Sequence, residues 1–276
     1  MGHSVLIRQA SRGDAAAVAA VSLAAGQPPE DSGPDVRYVD LLLTTGTVLV
    51  AEAGGGVVGW GATRPRLGAS MLTDLFVHPA HHGQGIGTRL LEGLWPPTPP
   101  ARWGRFTFSS LHPHALPLYV RSGLLARWPL LYLAGPAGPV PRVGLTVTAV
   151  APERAAAAEA RLVGGDTSPD AAPYRYWDGG GAPATVVVAD GDDVVACGAL
   201  RPGEVTHLTC ARDADLIDIV AAVVAAAGPE VRLCVPGPHP ALPALLGWGF
   251  RIEELDLALS AGVELPASTV YSPGLA

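Results

Sequence analysis

Apolar residues alternate with polar ones at two periods along this chain, and the changes between periods mark its elements. Residues 4–9, 46–53, 56–64, 70–77, 103–109 and 125–133 carry short β-branched and apolar runs and predict strands. Residues 13–25, 35–44 and 86–95 place apolar side chains three and four apart and predict helices, and a shorter helix ends near Ser122. In the helix from 86, Ile86, Leu90, Leu91 and Leu94 share one face. Strands and helices interleave, which indicates an α/β fold.

The pattern occurs twice. Thr47-Val48-Leu49-Val50-Ala51, a turn at Gly54-Gly55-Gly56, Val57-Val58 and then Gly61-Ala62-Thr63-Arg64-Pro65 predict a hairpin. Thr185-Val186-Val187-Val188-Ala189, a turn at Asp190-Gly191-Asp192-Asp193, Val194-Val195 and Gly198-Ala199-Leu200-Arg201-Pro202 repeat it almost type for type. Ala115-Leu116-Pro117 before Ser122-Gly123-Leu124 matches Ala241-Leu242-Pro243 before Trp248-Gly249-Phe250. Leu6-Ile7-Arg8 before an Ala-rich helix from Asp14 matches Leu145-Thr146-Val147 before another from Glu153. Three matches in one order argue for a duplicated domain. The Gly/Pro-rich stretch 135–139 reads as the linker, giving domains 1–138 and 139–276.

One joint between elements carries chemistry. The run Leu72-Thr73-Asp74-Leu75-Phe76-Val77-His78-Pro79 enters a turn at His82-Gly83-Gln84-Gly85, and Ile86-Gly87-Thr88 opens the helix. Glycines let successive backbone N–H groups face outward. The first turn of a helix adds unpaired N–H groups and partial positive charge, so together they suit a phosphate. The loop follows the fourth predicted strand, behind a hairpin. A dinucleotide-binding loop follows the first strand of a parallel sheet. No lysine occurs in the chain, which rules out a lysine-bearing phosphate loop.

Composition narrows the classes further. All 18 basic residues are arginines, spread along a chain of net charge −7, so nucleic acid is not an expected partner. No apolar run reaches membrane-spanning length and no secretion-signal layout opens the chain, so a cytoplasmic protein with no membrane partner is expected. Cys197, Cys210 and Cys234 are odd in number and lack metal-ligand spacing, which reads as buried thiols and no metal site.

The segment from Leu75 to Gly87 resembles the acetyl-CoA pyrophosphate loop of the GCN5-related N-acetyltransferase (GNAT) superfamily, whose pattern is Arg/Gln-x-x-Gly-x-Gly/Ala. Gly85 and Gly87 match it, and His82 stands at the Arg/Gln position. A second family pattern, Asn-x-x-Ala-x-x-Leu-Tyr-x-x-x-Gly-Phe, is met by His112, Ala115, Leu118, Tyr119, Gly123 and Leu124, with His112 for Asn and Leu124 for Phe. The resemblance implies two tandem GNAT-like domains, each a mixed, mostly antiparallel central sheet flanked by helices. It implies acetyl-CoA as co-substrate, with coenzyme A as product. His82, Gly83, Gln84, Gly85, Ile86, Gly87 and Thr88 would hold the pyrophosphate, and the backbone of Leu75, Phe76 and Val77 would pair with the pantetheine arm.

Tyr119 falls where the family keeps its general acid, near the coenzyme sulfur, and a helix starting at Pro117 would put it in the first turn. Thr73 occupies the position of an acceptor-facing glutamate in some relatives, while strand alternation turns Asp74 to the other face, in a structural role. Glu30, Asp31 and Asp35 lie in the loop between the first two helices, where relatives line the acceptor site. They are candidates for acceptor binding or for the base, beside loss of the proton to water. His81, His112 and His114 read as loop residues, and Trp60 and Trp103 as core.

The second half keeps neither feature. Its counterpart of the loop is Leu208-Thr209-Cys210-Ala211-Arg212-Asp213-Ala214-Asp215, where two aspartates would oppose a pyrophosphate, and Leu245 aligns with Tyr119. The expectation is a catalytic first domain that acetylates a primary amine of a small molecule or peptide, as monomer or homodimer. A degenerate second copy then serves a structural or acceptor-pocket role. The alternative is a non-catalytic acyl-CoA-binding or regulatory protein on the same fold.

Overall fold

The computed structural model describes residues 5–26, 36–95, 104–136, 138, 140–141, 143–164, 168–178 and 184–275. Two compact units emerge: residues 1–126 with 259–264, and residues 127–258 with 265–276. The first unit therefore ends before the Gly/Pro-rich stretch rather than at it. The strand Leu125–Pro136 runs on past Ala126, and its Leu130–Pro136 pair with Glu230–Pro236 of the second unit.

The first unit holds β1 (Leu6–Gln9), α1 (Ala15–Ala24), α2 (Val36–Thr45), β2 (Thr47–Ala53), β3 (Gly56–Arg66), β4 (Ala69–Val77), α3 (Ile86–Leu94), β5 (Gly104–Ser109) and α4 (Ala115–Arg121). Strands β1 to β4 pair antiparallel in order, and β5 joins β4 in parallel. The β1 edge is tied down by Arg8, whose guanidinium bonds Asp14 at 2.7 and 2.9 Å and Glu52 at 2.9 Å. That cation holds the Asp14 carboxyl well below the usual carboxylate range. Helix α1 docks through Trp60, a core residue as the sequence predicts, whose indole N–H donates to Ser22 Oγ at 2.9 Å.

Helix α3 buries Ile86, Leu90, Leu91 and Leu94, the face predicted from their spacing. It lies so close to β3 that a Cβ on Gly61 would come within 2.9 Å of Leu94 Cδ1, so the strand needs a glycine there.

Most of β6 (Leu125–Pro136) lies in the second unit, and β7 (Thr146–Ala149), α5 (Pro152–Val163), α6 (Ala172–Asp178), β8 (Ala184–Asp190), β9 (Asp193–Arg201), β10 (Glu204–Cys210), α7 (Leu216–Ala227), β11 (Glu230–Pro236) and α8 (Leu242–Gly247) there repeat the order from β1 to α4, followed by β12 (Arg251–Ala261), whose last three residues belong to the first unit. Strands β7 to β10 are antiparallel and β11 joins β10 in parallel, as β5 joins β4. Its core gathers Val186, Val188, Leu208, Val220, Val223, Leu233 and Leu245. Cys197 and Cys210 are buried and Cys234 partly so, none in a disulfide, and burial pushes Cys210 up to about 12. Among the described residues no helix is long and apolar enough to cross a membrane.

Candidate active site

The site begins with one extra residue. In the β3–β4 ladder Ala62 faces Asp74 and Thr63 faces Leu72, which leaves Thr73 as a bulge. A bulge interrupts strand alternation and bends the strand. Its effect is plain on β4's other edge. The parallel pairing with β5 runs only from Ala69–Met71 against Gly104–Phe106, and Thr107 Oγ1 then donates to Leu72 O at 2.9 Å. Past that point Leu75–Val77 keep their bonds to β3 and turn their other edge toward a cleft of about 560 Å³. Phe108, Ser109 and Ser110 line the cleft opposite them.

The strand leads through His78, whose Nδ1 accepts from the Ala80 N–H at 3.2 Å and caps a 3-10 turn at Pro79–His81. Gly83 and Gly85 follow at φ +75 and +74, left-handed values that an L side chain resists. Gly85 is the residue before α3, and its carbonyl accepts the Arg89 N–H at 3.1 Å. The N–H groups of Ile86, Gly87 and Thr88 therefore have no carbonyl within the helix to bond. Gly83, Gly85, Ile86, Gly87 and Thr88 all line the cleft, while Gln84 is exposed outside the lining.

His82 also lines the cleft, with a specific commitment. Its Nε2 lies 2.8 Å from Val77 O, and a carbonyl only accepts, so the ring donates there. A neutral His82 then has no proton left for a phosphate. Its ring centre stands 6.5 and 6.2 Å from those of His112 and His114, which line the same mouth, and Arg121 is the one arginine among the described lining residues. Among the described residues no group of His, Cys, Asp and Glu is arranged to hold a metal ion.

At the inner end lie Thr73, Asp74 and Tyr119. Helix α4 starts at Ala115 rather than at Pro117, and Pro117 falls in its first turn, where a missing N–H costs no helical bond. Tyr119 is buried, and burial with the nearby Asp74 charge raises its phenol above the ordinary range, so it holds its proton at neutral pH. Asp74, expected on the opposite face from Thr73, lines the same cleft. There it accepts the Tyr38 hydroxyl at 2.6 Å. Burial lifts its carboxyl to about 6 against the pull of Tyr38. Thr73 donates to Ala62 O at 3.2 Å and so braces the bulge it forms. Of the sequence-predicted acceptor residues, Thr73 is in the cleft; Glu30, Asp31 and Asp35, like Trp103, lie outside the described residues. The sequence analysis names Asp74 but not its partner Tyr38, which lies on α2, 36 residues away along the chain.

The chain is similar to known proteins in sequence and fold. A family model described as an acetyltransferase (GNAT) domain matches residues 44–123, which run from the end of α2 to the turn after α4. A curated relative, the mycothiol acetyltransferase of Parafrankia sp. (strain EAN1pec), is 34% identical over 134 residues, covering 45% of this chain and 40% of its own. The chain thus matches about two fifths of that relative's length. Among solved structures, a putative acetyltransferase from Pyrococcus horikoshii aligns over 97% of this chain and 93% of its own, with TM-score 0.70 and 16% identity. A tandem GNAT protein from the clavulanic acid biosynthesis pathway aligns over 95% and 100%, with TM-score 0.61 and 14% identity. Those identities carry the fold alone. The fold is thus shared with these solved structures, and residues 44–123 match the model of a GNAT acetyltransferase domain.

Proposed function

We propose that the first unit transfers the acetyl group of acetyl-CoA to a primary amine. The observation that carries this reading is the parting of β4 and β5 beside the open N-terminus of α3. The unpaired edge of Leu75–Val77 suits an extended amide-bearing arm added as a strand. The N–H groups of Ile86, Gly87 and Thr88 suit its diphosphate, with Arg121 on the same lining.

Two groups at the inner end fit the chemistry. The amine must lose a proton as its nitrogen bonds the acetyl carbon, and the sulfur must gain one as the C–S bond breaks. Asp74, with a carboxyl near 6, is ionised at neutral pH and takes the proton from the attacking nitrogen. Tyr119, still protonated, supplies the sulfur and is reprotonated from solvent. The ionised carboxylate also draws a cationic amine to the site. The acceptor is a small molecule or a peptide amine, and the relative's name puts mycothiol-related acceptors into the panel to be tested.

His82 keeps a second reading open, a non-catalytic acyl-CoA-binding protein on this fold, because its N–H is committed to Val77 O. Coenzyme A release from acetyl-CoA, followed with a thiol reagent across an amine panel, separates the two. Release that depends on an amine supports transfer. Binding of acetyl-CoA without release on any amine supports the second reading, and no binding at millimolar concentration removes both.

A further inference from the structure

The second unit contains the same slot, and the chain itself fills it. The β9–β10 ladder pairs Ala199 with His207 and Leu200 with Val205, so Thr206 bulges where Thr73 does. Gly198 faces Leu208 as Gly61 faces Leu75, which puts Leu208 at the register position of Leu75. The β10–β11 pairing runs over Glu204–Val205 against Arg232–Leu233 and stops at the bulge, as in the first unit.

Beyond the bulge, the C-terminal segment inserts between the two strands. Leu208 N–H donates to Val270 O at 3.0 Å, Val270 N–H donates to Leu208 O at 3.0 Å, and Tyr271 N–H donates to Cys234 O on β11 at 2.9 Å. Val270, Tyr271 and Leu275 are buried there, and the Tyr271 hydroxyl closes onto Pro266 O at 2.7 Å. A gap one strand wide is thus bonded on both sides, on the edge where the first unit offers Leu75. The phosphate end is also occupied. Asp215 precedes α7 and its Oδ1 accepts from Ile217 N–H at 2.9 Å and Asp218 N–H at 3.2 Å. The acid position is apolar: Phe250 N–H bonds Leu245 O at 3.1 Å, as Leu124 N–H bonds Tyr119 O at 3.1 Å, so Leu245 replaces the phenol.

We infer that the second unit is a strand-accepting slot liganded in cis by residues 269–271 of the same chain, with Asp215 in the place of a phosphate, and that this closes it to acyl-coenzyme A. The occupant is an extended peptide, held by backbone bonds and by the burial of Val270 and Tyr271. Only the coenzyme arm of the test rests on the acetyl-CoA reading of the first unit.

Amide hydrogen exchange on the full chain tests it, because the Leu208 N–H bonds to the tail at Val270 O. The expected result is exchange at Leu208, Val270 and Tyr271 at least about 100-fold slower than in an unstructured peptide, unchanged by saturating acetyl-CoA. Val270→Pro removes one donor and should speed exchange at Leu208 and Tyr271 at least about tenfold while the α7 amides, which show that the unit is still folded, stay slow. Calorimetry should count one acetyl-CoA per chain. Free exchange at Leu208, release of the tail by acetyl-CoA, an unchanged Leu208 rate in Val270→Pro, or two coenzymes per chain would each overturn the inference. Slow exchange with no acetyl-CoA bound at all would support the slot and remove the proposed function instead.

Discussion

Replacing Asp74 by asparagine should stabilise the protein at neutral pH and abolish its acetyl transfer. Burial raises the Asp74 carboxyl from 3.8 to about 6, so the folded chain holds this proton more tightly than the unfolded chain does. The resulting stabilisation is complete below the unfolded value and is lost as pH rises through about 6. Above that, the fold carries a buried carboxylate at a cost of about 3 kcal/mol, taking about 1.4 kcal/mol for each pH unit between the two values. Asparagine keeps the shape and an oxygen for Tyr38, and carries no charge. Urea unfolding should therefore show Asp74→Asn more stable by about 3 kcal/mol at pH 7.5, with the gain vanishing toward pH 4. Coenzyme A release by the wild type should rise through pH 6 as the carboxylate forms, and that limb should be missing in the variant. Equal destabilisation at both pH values would refute the stability argument, and an unchanged pH limb would refute the base assignment.

Other substitutions separate the remaining parts. Tyr119→Phe should lower turnover about 10²-fold and leave acetyl-CoA affinity intact in calorimetry; weakened binding would instead make the phenol a packing group. Gly87 has room for a Cβ, the nearest atom being 3.6 Å away, but its side-chain direction lies along the cleft lining. Gly87→Leu should thus remove acetyl-CoA binding with little change in thermal unfolding. Gly61→Val, driven against Leu94 Cδ1, should cost about 1–3 kcal/mol in urea unfolding. His82→Arg should tighten acetyl-CoA by adding a cation whose protons are not all committed to Val77 O, and should steepen the salt dependence of binding.

What the sequence discloses follows from how far each signal reaches along the chain. The glycine turn, the amphipathic face of α3 and the twin hairpins are contiguous patterns, and the structure has them within a residue or two. Leu245 stands opposite Tyr119 as the alignment of the repeats expects, because both follow an Ala-Leu-Pro start and precede a Gly-apolar pair. The bulge at Thr73 is a property of two strands in register, and a single-strand pattern does not show it. The tail's insertion at Leu208 joins residues far apart through backbone hydrogen bonds, which leave no mark on side-chain type. The loss of the glycine loop was legible as two aspartates; that one of them caps α7 was not.

One further consequence concerns the order of synthesis. The first unit includes residues 259–264, and a Cβ on Gly104, at the start of β5, would meet Gly262 O at 2.9 Å and Val263 Cβ at 2.7 Å. A nascent chain therefore cannot complete its first unit until nearly all of the second has left the ribosome. The two repeats mature together, and a stop placed between them yields an incomplete first unit rather than a smaller protein.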